Sequence, residues 1–70
     1  MRSLTAIAAF PAMMRRDRRR EGLRECRAAW SIGVSVRRYR EIEGGESFPT
    51  SEEWERMVEV FSWPQAFART

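Results

Sequence analysis

Histidine and lysine are absent from this 70-residue chain, and cysteine occurs once, as Cys26. Without histidine the usual general base and the commonest metal ligand are missing, and one thiol closes neither an intrachain disulfide nor a structural zinc site. Carboxylates are plentiful, but their spacing suits helix caps and faces, and no phosphate loop or nucleophile motif accompanies them. No enzymatic activity, cofactor or metal is therefore expected. A long apolar run is also missing. None approaches the roughly 20 residues of a membrane span, so no membrane association is expected. A chain this short forms one domain at most, buries only about 60% of its unfolded surface and has little stability to spare.

Arginine is present in excess. It accounts for all 13 basic residues, and it is the side chain suited to bidentate recognition of phosphate and guanine, although a GC-rich genome produces the same bias. The formal net charge of +3 conceals an asymmetry. Residues 1–40 carry eleven arginines against Asp17, Glu21 and Glu25, a balance of +8, whereas residues 41–70 carry seven glutamates against Arg56 and Arg69, a balance of −5. One half is built to meet an anion.

The opening residues 1–10 end in a short apolar stretch that is brief for a secretory signal, and they are expected to form a flexible N-terminal arm before a domain over residues 11–70. A charged helix is expected over residues 11–21, because Pro11 suits a first turn and Gly22 suits a left-handed position after the last. Phe10 and Met14 would face inward. A second short helix is expected over residues 23–30, with Leu23, Ala28 and Ile32 inward and the small Ala28 and Ala29 admitting a close neighbour. Gly33 then permits a turn, and Ser35 is a good N-cap for a helix over residues 36–43. In that helix Tyr39 and Ile42 lie on one side with Glu43, while Arg37, Glu41 and Gly44 lie opposite and Arg38 and Arg40 flank them. Phe48 would fold back as a lid. Thr50 and Glu53 have capping-box spacing, and Trp54, Met57, Val58 and Phe61 follow as one amphipathic stripe. Pro64 opens a last short helix through about Phe67. The expected fold is all-α, a compact bundle of about five short helices.

Across residues 22–63 this pattern resembles the helix-turn-helix domain of the lambda-repressor/Cro (Xre-like) family. Gly22 and Leu23 precede the second helix, Ala29 lies four residues before the turn glycine Gly33, and Val34 and Ser35 follow it. Tyr39 and Ile42 occupy the apolar positions, and Glu43, Gly45 and Pro49 continue the register. The spacing has a physical reason: crossing helices need a small residue where they touch and a glycine where the chain turns.

The resemblance implies a double-stranded DNA-binding regulator, a repressor acting as a homodimer on an operator, located in the cytoplasm with the nucleoid. It places the helix over residues 36–43 in the major groove. Ser35, Val36, Arg37 and Glu41, followed by Gly44, then carry the DNA-facing positions, with Arg37 the candidate for a bidentate guanine contact. Val36 would touch a thymine methyl or pack on the core. Glu41 would accept from cytosine or, preferentially, orient Arg37. Arg38 and Arg40 would meet phosphates, as would Arg24 and Arg27 of the second helix. Glu43 would pair with Arg18 of the first helix. Trp63 and Phe67 lie where such repressors dimerise, with core packing as the alternative. Trp30 falls at a position that is normally polar, so it marks an interface or folds over the core. Three residues depart from the pattern: Glu25 replaces a glutamine that contacts DNA, Asp17 replaces a large aliphatic, and Ala28 replaces a leucine. A thin core, filled by Tyr39, Phe48 and the tryptophans, is the expectation. The rival reading keeps the fold but grips a protein partner, such as the toxin cognate to an antitoxin.

Overall fold

A computed structural model describes residues 9–64 and residue 67. Among them are four α-helices and no strand: α1 (Phe10–Arg20), α2 (Glu25–Ile32), α3 (Val36–Glu43) and α4 (Ser51–Val60). The arm expected over residues 1–10 falls mostly outside the described residues. So does part of the fifth helix expected over residues 64–67, of which Pro64 and Phe67 are joined by a hydrogen bond of 2.9 Å from the Phe67 N–H to the Pro64 carbonyl.

All four helices end in the same way. The amide two residues beyond the C-cap, or one beyond it after α2, reaches back across the last turn: Leu23 to the Arg18 carbonyl, Val34 to Ala29, Glu46 to Glu41 and Trp63 to Val58. Such a closure needs a left-handed residue, which glycine adopts without steric cost. Gly22, Gly33 and Gly45 supply it after the first three helices, and Ser62, at φ 57°, supplies it after α4. The first closure also explains why α2 begins two residues later than its apolar pattern suggests. The Leu23 amide is committed to ending α1, and Arg24 is extended.

The start signals operate as well. The Ser35 hydroxyl accepts from the Arg38 amide at 3.0 Å, and Thr50 and Glu53 form a reciprocal capping box with bonds of 3.1 and 2.8 Å.

Helix α2 packs against α3 and α4, and α1 packs against α3. Ala28 and Ala29, both buried, are the small residues at the centre of that arrangement. Tyr39, Phe61, Trp54 and Trp63 are buried beside them, and the last three are joined through ring contacts with centroid separations of 5.4 Å for Trp54–Trp63 and 5.2 Å for Phe61–Trp63. Phe48 departs from its expected role as a lid. It leans on Phe10 at 5.7 Å but stays 68% exposed.

Asp17 differs most from expectation. It continues the inward stripe of Phe10 and Met14 and is fully buried, with every carboxylate oxygen partnered. Its Oδ2 accepts from the Trp63 indole N–H, while Arg16 and Arg20 approach Oδ1 at 3.0 and 3.2 Å from the solvent side. No buried side-chain nitrogen or oxygen among the described residues lacks a partner. No helix among them is long and apolar enough to cross a membrane.

Candidate functional site

Helix α3 has two faces of opposite character because its apolar residues recur at helical spacing between arginines. Tyr39 and Ile42 are buried, and Glu43 beside them is only 5% exposed. A carboxylate at that depth requires partners. Arg18 supplies a bidentate pair at 2.9 and 3.2 Å, the Tyr39 hydroxyl donates at 2.6 Å, and a further Arg18 nitrogen donates to the Leu23 carbonyl at 3.1 Å. Burial alone would raise the Glu43 carboxyl, but the bonds from Arg18 and Tyr39 outweigh it and hold the group below its usual range. Burial, with the hydrogen bond to Glu43, pushes the Tyr39 phenol far up. The cluster ties α3 to α1 and sets how α3 is presented.

The outward residues are not equivalent. Arg37, in the first turn of α3, is exposed and makes no hydrogen bond or ion pair among the described residues. Arg38, expected as a phosphate ligand, is engaged inside the protein. Its guanidinium bonds Glu53 at 3.0 and 2.9 Å, the Ser47 hydroxyl at 2.8 Å and the Phe48 carbonyl at 3.1 Å. Glu53 is the capping-box residue of α4, so one carboxylate starts α4 and anchors α3. The hydrogen bond from Arg38 keeps Glu53 below its usual range. Arg40, the second expected phosphate ligand, meets Glu25 of α2 at 3.1 Å.

Glu41 does not orient Arg37 as expected. The cation it approaches is Arg38, at 3.6 Å, because the bonds to α4 hold that guanidinium within reach one turn back. Val36 is half-buried and packed against the core, the second of its two readings. Ser35 is used as the N-cap of α3. Gly44 is the C-cap, where an added Cβ would stand 2.9 Å from the Arg40 carbonyl, so its lack of a side chain has a local steric cause.

On α2, Arg24 is exposed at the N-cap and Arg27 lies 5.2 Å over the ring of Trp30, which is 74% exposed. Trp63, a candidate dimer contact, is only 5% exposed and belongs to the core. Phe67 packs partly buried against the core, and its carbonyl accepts from the Trp54 indole at 2.5 Å. Sequence reasoning missed Asp17–Trp63, Arg38–Glu53 and Arg40–Glu25. These pairs are 46, 15 and 15 residues apart, and no local spacing rule reaches so far. Among the described residues no group of three histidine, cysteine, aspartate or glutamate side chains is placed to hold a metal ion.

No family model matches the chain, and neither does any curated protein or any solved structure compared with it.

Proposed function

We propose that the protein is a sequence-specific double-stranded DNA-binding regulator of the helix-turn-helix type, a repressor that acts as a dimer and lays α3 in the major groove. The observation that carries this reading is Arg37: a solvent-exposed guanidinium with no internal partner among the described residues, on the first turn of a helix whose opposite face is locked to α1. A helix held on one side and offering an unpaired arginine on the other suits bidentate contact with guanine O6 and N7. The short turn at Gly33, Val34 and Ser35 and the small Ala28 and Ala29 fit the crossing of two helices that such a motif uses.

The internal commitments of Arg38 and Glu53 narrow the contact set. Arg37 reads a base, Arg24 and Arg27 at the surface of α2 serve phosphates, and Arg38 supports the fold. Selection from a random-sequence duplex pool tests the reading. An enriched motif, with binding that weakens as salt rises, is the expected result. No enrichment together with salt-insensitive binding rejects it.

The exposure of Trp30 favours a second reading, in which the same fold grips a protein partner, as an antitoxin grips its toxin. Replacing Arg37 with alanine separates the two. A DNA reader loses its target sequence, whereas a protein-binding module keeps its partner.

A further inference from the structure

Glu25 is an acidic residue among exposed arginines. It stands in the first turn of α2, next to Arg24, and its carboxylate oxygen accepts from Arg40 Nε of α3 at 3.1 Å, bridging the two helices. Both side chains reach solvent, with 35% of Glu25 and 64% of Arg40 exposed, so the pair does not support the core. A carboxylate in a first helical turn is favourable to that helix, which explains how it is tolerated here. Its effect on an approaching polyanion is the opposite. A phosphate that reaches Arg40 must displace Glu25, and if the carboxylate stays the phosphate meets a like charge. Of the three arginines on α3, Arg38 is held by Glu53 and Arg40 by Glu25.

We infer that Glu25 is an intramolecular counter-charge that withholds Arg40 from duplex phosphates and thereby lowers sequence-independent affinity, an inference that rests on the DNA-binding reading above. Specificity is a ratio of sequence-dependent to sequence-independent binding. Suppressing the backbone contribution raises that ratio without adding any base contact. Glu25 is thus a specificity-setting residue that acts through Arg40.

The test is a salt titration of the full chain on a short mixed-sequence duplex, comparing wild type with E25Q, E25Q/R40A and E59Q. Glu59 is exposed on α4, so E59Q removes the same charge at a distance from α2. Releasing one arginine adds about one phosphate contact, so E25Q is expected to steepen the slope of log K against log salt by about 0.9. From the modest strength of an exposed pair, E25Q is expected to bind about two- to fivefold tighter at low salt. The steepening should vanish in E25Q/R40A and be absent in E59Q. A slope for E25Q equal to or shallower than that of wild type, or a steepening that survives loss of Arg40, overturns the inference and leaves the DNA reading standing. Absence of binding by every protein at low salt overturns both.

Discussion

The indole N–H of Trp63 donates to Oδ2 of Asp17 at 2.5 Å, joining the residue after the last turn of α4 to the middle of α1 across 46 positions of chain. The carboxylate is fully buried, and burial by itself would raise it. The bonds from Arg16 and Trp63, with the charges of Arg16 and Arg20, bring it below its usual range instead.

Replacing Asp17 with leucine restores an aliphatic side chain but strands the Trp63 N–H. An unpaired buried donor costs about 1–3 kcal/mol, so D17L should be destabilised by that amount in urea unfolding. The double variant D17L/W63F removes both partners and should recover most of the loss. Simple additivity of the two single changes would show that the bond does not couple α1 to the end of α4.

The Arg18–Glu43 pair is 13% and 6% exposed at its two side chains. Removing one partner of such a pair leaves an uncompensated buried charge, at about 3–5 kcal/mol. R18M should therefore lose a large fraction of a total stability of about 3–10 kcal/mol for a domain of this length, with a matching fall in its thermal midpoint. A thermal melt followed by circular dichroism reads the outcome directly.

Stability should plateau between about pH 5 and pH 10 and decline on both sides. Asp17, Glu43 and Glu53 have folded-state pKa values below the ordinary 3.8 and 4.5, so their contribution is complete above those values and is lost as pH falls through the depressed ones. Tyr39 is raised above its ordinary 10.0, so its neutral form supports folding below that value and the support is lost as pH rises. Chemical unfolding midpoints across this range check the shape. In E53Q, which has no carboxylate to protonate at that position, the acid-side decline should be shallower.

Ser62 sits at φ 57°, where an L-residue pays about 1–2 kcal/mol that glycine avoids. Glycine loses more freedom on folding, so S62G should gain about 0.5–1 kcal/mol net, a rise of roughly 4 °C in Tm. An unchanged or lower Tm would show that the Ser62 side chain contributes more than its backbone costs.

Arg37 and Arg38 are neighbours with opposite predicted phenotypes. R37A should leave stability within about 0.5 kcal/mol of wild type and cost about 1–3 kcal/mol of discrimination between operator and mutated operator. R38A should lower stability by about 1–2 kcal/mol, through loss of its bonds to Glu53, Ser47 and the Phe48 carbonyl. Thermal melts and competition binding on the same preparations distinguish the two.

What the sequence determined by itself was local. The capping box at Thr50 and Glu53, the N-cap at Ser35, the left-handed positions at Gly22 and Gly33, and the inward stripes of α3 and α4 follow from spacings of a few residues. Helix caps and amphipathic periodicity act within one or two turns, so they can be read along the chain. Tertiary packing decided where each charged side chain goes. An arginine on a helix flank is equally able to meet phosphate or a carboxylate from another element, and only the assembled bundle brings Glu53 to Arg38 and Glu25 to Arg40 while leaving Arg37 open. Asp17 reads along the chain as a defect in an apolar stripe. In the fold it is a buried anchor, because Trp63 delivers to it the one polar atom of an otherwise apolar ring.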